Sequence, residues 1–319
     1  MKLLWLLVLG YGAACQTVSV SAHRITDTPI LSPQSSWMSL GVFNAAATKL
    51  HRKTVLLFRA QDEQHTSRIG YAESSDGLHF IVRPDPVLSP EAEYEKNGGV
   101  EDPRLREIGG TYYLTYTGYN QHDAQLCLAT SKDLIHWDRR GVILPAYKGT
   151  WNEQWTKSGA IVPKKIAGKW WMYYLGTRKD ADGESRDYMG LAQSDDLLHW
   201  QDATNEPVLP RRPNSFDSRV MEPGVVFLTK HGILLIYNGA NERLVYGPGW
   251  ALFDRNHPDH LLARSENAFV LPTLPWEKVG NVPNVIFIEG AIGIPPNLVA
   301  YYGAADKYIG AMQIKIFVH

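Results

Sequence analysis

The sequence has little cysteine, no excess of charge of either sign and no long amphipathic helix. Cysteine accounts for two of the 319 residues, and 32 basic residues stand against 33 acidic ones, which gives a formal net charge of −1. This balance gives no electrostatic reason to expect a nucleic-acid partner. Apolar residues do not recur at the helical period over any long segment, so an α/β fold is disfavoured. A β-rich fold is favoured instead.

The longest apolar run lies at the amino terminus and is too short to span a bilayer. Residues 3–14 read LLWLLVLGYGAA after a single lysine, a pattern typical of a secretory signal. Two cleavage sites fit: a lipobox-like GAAC, which would make Cys15 a lipid-bearing residue, and VSA, which ends at Ala22. We therefore expect a signal peptide at residues 1–22, one domain at 23–319, and an exported protein that is periplasmic, secreted or anchored through Cys15.

No disulfide and no metal site are expected in the mature chain. Cys127 is the single thiol left if Cys15 is removed or lipidated, and it lies in QLCLAT, a strand pattern that predicts a small buried hydrophobic residue. The histidines His65, His122 and His231 show no metal-ligand spacing. We expect them in loops or at the surface, and we expect no cofactor.

Aromatic residues are abundant and are arranged in repeats. The chain has 16 tyrosines and 10 tryptophans. Residues 71–80 read YAESSDGLHF, residues 128–137 read LATSKDLIHW and residues 191–200 read LAQSDDLLHW, which share the pattern Ala-x-Ser-x-Asp-x-x-x-aromatic. The copies follow one another at intervals of 57 and 63 residues, and a run of aromatic and β-branched residues typical of a strand precedes each one.

Two further strand runs, ILLIYNGAN at 233–241 and LVAYYGAAD at 298–306, bring the number of repeated units to five. A radially repeated β-sheet is an economical arrangement for such units, because closure leaves few exposed sheet edges. The sequence therefore predicts an all-β, five-bladed β-propeller with a central active-site channel, folded as a single domain.

Three acidic residues stand near the starts of three units: Asp102 in GGVEDPRL, Glu222 in RVMEPGVVF and Glu289 in NVIFIEGAI. Innermost strands of a propeller run along its central channel, so these side chains are expected to converge there. Paired carboxyl groups are what glycosidic bond cleavage requires. The structural alternatives are that Asp102 caps a turn and that the two glutamates form buried ion pairs with Arg59, Arg104 or Arg219.

Five stretches in this order resemble glycoside hydrolase family 130, whose members are five-bladed β-propellers acting on β-mannosides: EDPRLREIGGTYYLTYTGYN, LATSKDLIHW, KSGAIVPKKIAGKWWMYY, GILLIYNGAN and YYGAAD. FNAAA at 43–47 and LFRAQD at 57–62 look like the first-blade motifs of that family. The resemblance covers residues 43–306. It implies that Asn44, Asp102 and Asp306 hold the sugar where the bond is cut and that Arg59 and Arg104 line this subsite; Lys157, Tyr237 and Asn238 complete the predicted substrate-binding set.

The family contains inverting phosphorylases and inverting hydrolases, and departures from the phosphorylase pattern favour the hydrolases. Glu222 stands near the place of a lysine, Asn238 stands where phosphorylases have histidine, and Glu289 lies where they generally lack a carboxylate. A negative Glu222 would repel phosphate. The expected function is thus a secreted inverting hydrolase of β-mannosides, for which the resemblance indicates β-1,2-linked manno-oligosaccharides, with Glu222 and Glu289 as acid and base, separated by roughly 6.5–9.5 Å.

Three alternatives to this expectation stay open. Asp102 can act as the acid through a sugar hydroxyl, as the resemblance implies for phosphorylases, with one glutamate as base. The chain can be a β-mannoside phosphorylase of the same fold, whose turnover would depend on phosphate. It can also be a carbohydrate-binding propeller without catalysis. The exact sugar, the linkage and the oligomeric state are not predicted.

Overall fold

The computed structural model describes residues 17–34 and 36–319, and the chain there is almost entirely β-structure. The N-terminal apolar run and Cys15 lie outside the described residues. Among the described residues, no helix is both long enough and apolar enough to cross a membrane. The helical segments are short: one α-helix, α1 (Pro275–Lys278), and two 3₁₀ turns, Ser36–Met38 and Glu93–Glu95.

The strands form five antiparallel units of four strands each, which we call blades 1 to 5. Blades 1 to 4 follow the chain: β2 (Gly41–Leu50), β3 (Lys53–Gln61), β4 (Ser67–Ser74) and β5 (Ile81–Val82); β6 (Gly99–Ile108), β7 (Thr111–Tyr119), β8 (Ala124–Ser131) and β9 (Asp138–Leu144); β10 (Thr156–Ile161), β11 (Trp170–Lys179), β12 (Ser185–Ser194) and β13 (Gln201–Asp202); β14 (Val220–Leu228), β15 (Ile233–Ala240), β16 (Tyr246–Phe253) and β17 (Leu261–Arg264). Blade 5 joins the two ends of the chain: β18 (Ile286–Ile294), β19 (Asn297–Ala304), β20 (Tyr308–Val318) and β1 (Val18–Arg24).

The blades close into a ring, which confirms the predicted propeller. The innermost strands β2, β6, β10, β14 and β18 each contact the innermost strands of the two neighbouring blades, and β18 returns to β2. Strand β1 completes blade 5 by pairing with β20, from Val18 opposite Val318 to Arg24 opposite Met312. The predicted boundary between residues 22 and 23 therefore falls inside β1.

The repeated Ser-x-Asp element forms the same turn in three blades. In blade 2, Asp133 Oδ1 accepts hydrogen bonds from the backbone N–H groups of Ile135 (2.9 Å) and His136 (2.8 Å). Asp76 and Asp196 make the equivalent bonds in blades 1 and 3. Aspartate favours such turns because its side chain satisfies backbone donors two and three residues ahead. The repeat is thus a structural element, a turn that reverses the chain direction after the third strand of each of these blades.

Each innermost strand carries a β-bulge near its start. The residues left outside the pairing are Asn44, Asp102 with Pro103, Ser158 with Gly159, Gly224, and Glu289. Asn44, Asp102 and Ser158 have left-handed backbones, with φ of 49°, 52° and 55°. Bulges bend a strand and redirect a side chain. Here they set the polar residues of different blades around one axis.

Glycine at one of these bulges lets two blades approach closely. A Cβ atom on Gly224 of β14 would lie 2.2 Å from the carbonyl oxygen of Ile288 in β18. No side chain fits at that distance, so glycine is required there. Cys127 of β8 is buried and unpaired within the described chain, as its strand pattern predicts.

Candidate active site

Asp102 lies at the centre of a buried polar cluster on the axis. Its Oδ1 atom accepts hydrogen bonds from Asn44 Nδ2 at 2.7 Å and from Arg59 Nη1 at 2.9 Å. Burial alone would raise the pKa of Asp102, but the nearby cations Arg59, Lys157 and Arg104 hold that pKa below its ordinary value. Asp102 is therefore an ionised acceptor with its backbone fixed in a bulge. The structure thus brings Asn44, Arg59 and Asp102 together, and their contact with a sugar stays a prediction.

Glu101, the neighbour of Asp102, belongs to the same cluster and was not predicted. Arg59 Nη2 lies 2.6 Å from Glu101 Oε1, and the same oxygen accepts a hydrogen bond from Ser67 Oγ at 3.0 Å. Burial raises the pKa of Glu101 against the effect of Arg59. An acidic residue next to Asp102 on an otherwise buried strand was the available signal, because such a group needs a cationic partner.

Arg104 joins the two glutamates. Its Nη2 donates a hydrogen bond to Glu222 Oε1 at 2.9 Å, and its Nη1 lies 2.8 Å from Glu289 Oε1. Ser158 Oγ donates a second hydrogen bond to Glu222. Burial raises the pKa of Glu222 and, more strongly, that of Glu289, while Arg104 opposes both shifts. The buried ion pairs considered from the sequence thus exist, and Arg104 rather than Arg59 or Arg219 forms them.

The three acids of the sequence pattern do not occupy equivalent positions. Asp102 and Glu289 lie in the bulges of β6 and β18. Glu222 lies two residues before the unpaired Gly224 and is paired with Asn238 in the sheet. The sequence pattern could not show this offset, because it depends on strand register. Arg104 nevertheless links all three acids. Glu222 and Glu289 contact its guanidinium directly, and the negative charge of Asp102 helps to raise its pKa.

Asp306 and Lys157 add an acid and a base to the cluster. Burial raises the pKa of Asp306 to about 7, Arg59 opposes this rise, and the negative charges of Asp102 and Glu222 add to it. Burial alone would lower the pKa of Lys157, but the same carboxylates raise it, so the ammonium group stays charged. Within residues 17–34 and 36–319, Lys157 forms no ion pair shorter than 4 Å.

A cavity of about 500 Å³ opens beside this cluster. It is lined by Arg59, Gln61, His65, Gly98, Glu101, Tyr119, Gln121, Trp155 and Lys157. The Tyr119 and Trp155 rings meet edge to face, with centroids 6.2 Å apart, and the Lys157 ammonium lies 5.2 Å from the Trp155 ring centroid. The volume of this cavity, its aromatic wall and its convergent polar groups match the features of a site that binds a small sugar.

Tyr237 and Asn238, both predicted to bind substrate, do not face this cavity. Tyr237 is fully buried inside blade 4, where its hydroxyl donates a 2.6 Å hydrogen bond to Asp217. Asn238 joins blade 4 to blade 5: its Nδ2 donates to the Ile288 carbonyl at 2.9 Å, and its Oδ1 accepts from the Ile288 N–H at 2.8 Å. Both side chains are fully engaged, so the prediction of substrate contacts for them is wrong.

The sequence matches the family model described as β-1,4-mannooligosaccharide phosphorylase, Glyco_hydro_130, over residues 17–317. The chain belongs to glycoside hydrolase family 130. Two curated relatives are similar to this family 130 chain over nearly their whole length. A 1,2-β-oligomannan phosphorylase from Thermoanaerobacter sp. (strain X514) is 38% identical over 310 residues, which cover 93% of this chain and 98% of the relative. A β-1,2-mannobiose phosphorylase from the same organism is 32% identical over 310 residues, covering 92% and 96%.

A solved structure is also similar to this family 130 chain. Its description states that the GH130 family of mannoside phosphorylases contains glycoside hydrolases that target β-1,2 mannosidic linkages in Candida mannan. It aligns with a TM-score of 0.82 and 32% identity, covering 92% of this chain and 93% of that chain. Members of the family thus act on mannosides by either chemistry.

The prediction of a hydrolase is wrong, because the curated relatives of this chain are mannoside phosphorylases. The physical argument behind that prediction fails at two points. Asn238 is not at the cavity, so its replacement of a histidine carries no information about phosphate. The negative charge of Glu222 is paired with Arg104, so it does not stand free to repel an anion.

Proposed function

We propose that this protein is a phosphorylase of β-1,2-linked manno-oligosaccharides. The observation that carries the proposal is the 38% identity with a 1,2-β-oligomannan phosphorylase over 93% of this chain and 98% of that relative. In this reaction a phosphate oxygen bonds to the anomeric carbon while the glycosidic C–O bond breaks. The products are mannose 1-phosphate and an oligosaccharide shortened by one sugar.

The charge distribution of the cavity supports phosphate as the attacking group. Arg59 and Lys157 both line it, and Lys157 has no ion-pair partner within 4 Å among the described residues. A dianion entering this cavity gains a charge-assisted contact with an ammonium group that is otherwise neutralised only at longer range. Glu222 and Glu289 have Arg104 as their direct ion-pair partner, so neither carboxylate occupies the Lys157 ammonium group.

The acids of the cluster divide into acceptors and a proton donor. Asp102, with its lowered pKa, accepts hydrogen bonds from sugar hydroxyl groups and fixes the ring. The leaving oxygen needs a proton as the bond breaks. We assign this role to Asp306, because its charge interacts with Arg59, Asp102 and Glu222 in the cluster and its pKa of about 7 leaves it half protonated at neutral pH. The proton passes from the Asp306 carboxyl to the leaving oxygen.

The test is to incubate the protein with β-1,2-mannobiose and with β-1,4-mannobiose, each with and without inorganic phosphate, and to identify the products. We expect mannose 1-phosphate from the β-1,2 substrate, in amounts that depend on added phosphate. Free mannose released at the same rate without phosphate would overturn the proposal. A Lys157→Met variant sharpens the test, since its KM for phosphate should rise by about tenfold or more while that of the exposed-site control Lys132→Met stays unchanged.

A further inference from the structure

A second cavity, of about 710 Å³, occupies the other end of the propeller axis. Strands β6, β10, β14 and β18 supply its walls from residues that follow the bulges, such as Ile161, Leu228 and Ile294. Arg104 and Glu289 form its inner end. The same ion pair therefore separates this cavity, which we call the far-face cavity, from the polar cluster around Asp102.

Apolar groups form slightly more than half of the walls of the far-face cavity. Val225, Phe227 and Ile294 line it together with the Pro295-Pro296 turn. Ile294 is 78% exposed at its rim, although it belongs to an innermost strand. A concave apolar surface of this volume matches the size of cavities that enclose small organic molecules.

Arg106 projects a charge into this apolar cavity without an acidic partner. Its Nε donates to the carbonyl of Ile161 at 3.1 Å and its Nη2 to that of Val226 at 2.9 Å, which fixes the guanidinium and leaves Nη1 without a hydrogen bond in the described structure. Among residues 17–34 and 36–319, no carboxylate lies within ion-pair distance of it. Burial lowers the pKa of Arg106 to about 10, and no neighbouring charge offsets the shift.

The remaining charged groups at the cavity favour an anion. Lys230 stands on its lining, and the one lining carboxylate, Glu289, is already paired with Arg104 at 2.8 Å. An unpaired cation in an apolar wall is costly unless an anion meets it. A fixed guanidinium is well suited to carboxylate, sulfonate or phosphate groups.

We propose that the far-face cavity is a second ligand site, which binds a small organic anion through Arg106 and packs the apolar body of that anion against Val225, Phe227 and Ile294. This binding does not depend on the proposed phosphorylase activity. Arg104 and Glu289 line the far-face cavity and belong to the polar cluster around Asp102, but neither lines the cavity beside Lys157, so an occupant of the far-face cavity does not compete with the mannoside there.

The probe for this site is 8-anilinonaphthalene-1-sulfonate, an aromatic sulfonate, titrated into the intact protein by fluorescence and calorimetry. We expect one bound probe per chain, and an excess of β-1,2-mannobiose should not displace it. Ile294→Glu places a negative charge at the rim of the cavity and should weaken probe binding by about tenfold. Ile81→Glu is the matched control, because Ile81 is 76% exposed on blade 1 and does not line the cavity; its affinity should be unchanged.

Arg106→Gln should weaken binding at least as much as Ile294→Glu, provided that its circular dichroism and unfolding midpoint match those of the parent protein. Since Ile294 is exposed, Ile294→Glu tests the site even where the Arg106 variant does not fold. Equal affinity for the parent protein, Ile294→Glu and Ile81→Glu would overturn the proposal. Displacement of the probe by β-1,2-mannobiose would also overturn it, because the probe would then occupy the mannoside site.

Discussion

The guanidinium of Arg104 lies 2.8 Å from the carboxylate of Glu289, and the two side chains are 3% and 0% exposed. They come from blades 2 and 5, so the ion pair crosses the propeller axis. Removing two charges from water is costly, and their attraction offsets that cost only while both partners are present. The ion pair across the axis therefore stabilises the fold only while both Arg104 and Glu289 are present.

Arg104→Met should lower the free energy of unfolding by about 3–5 kcal/mol, because it leaves Glu289 and Glu222 buried without their cation. The double variant Arg104→Met with Glu289→Gln should recover part of this loss, since one of the two uncompensated charges is then gone. Urea unfolding of the parent, both single variants and the double variant measures the coupling. A double variant less stable than Arg104→Met would contradict a dependence of the two side chains on each other.

Asn238→Ala should destabilise the fold without changing substrate recognition. It removes both hydrogen bonds to the Ile288 backbone and leaves a buried N–H and C=O unsatisfied, at a cost of about 2–4 kcal/mol. KM for phosphate and for the mannoside should stay within about twofold of the parent values. Asn120→Ala, at a turn, is the control and should change stability by less than about 1 kcal/mol. A large rise in KM with unchanged stability would show instead that Asn238 contacts the substrate.

Asp306 should make stability fall as pH rises through the neutral range. Its pKa is about 7 in the folded protein against 3.8 for a free aspartate, so between these values the folded state holds a proton that the unfolded state has lost. Asp306→Asn removes this effect and should raise stability at pH 8 by about 1–3 kcal/mol, with no gain at pH 4. Thermal unfolding at both pH values measures the difference. An equal change at the two values would show that Asp306 does not titrate between them.

Strand β1 should be required for a stable blade 5. A chain that begins at His23 loses Val18, Val20 and Ala22, which pack on the blade 5 core, and exposes the edge of β20. We expect a loss of about 3–5 kcal/mol from the lost apolar burial. A chain that begins at Thr17 keeps the strand and is the control. Equal denaturant midpoints for the two chains would show that β1 adds nothing to the fold.

The fold was predictable because its signals are local and repeated. The Ser-x-Asp turns at Asp76, Asp133 and Asp196 recur in sequence because one aspartate side chain satisfies the same backbone donors each time. Strand runs before these turns show the composition of buried sheets. Counting them was enough to predict five blades.

Site residues could be predicted from the sequence only where their placement does not depend on strand register. Asp102 and Arg59 were placed at one site by the resemblance to family 130, and the structure pairs them as buried opposite charges. Tyr237 and Asn238 were misplaced because they lie on β15, the second strand of blade 4, where Tyr237 packs inside the blade and Asn238 bonds to the backbone of Ile288 in blade 5. The predicted choice of water over phosphate as the attacking group rested in part on the placement of Asn238, so the wrong placement led to the wrong predicted function.

The five bulges at the axis have a consequence for how this scaffold can vary. Asn44, Asp102, Ser158, Gly224 and Glu289 lie outside the pairing of the innermost strands. Gly224 must stay glycine, but a substitution at the other four positions leaves the hydrogen-bond ladder of the blade intact, so the ring of inward-facing groups can diverge while the surrounding sheets stay the same. One propeller can in this way serve as the framework for chemically distinct enzymes, with stability and reactivity assigned to separate sets of residues.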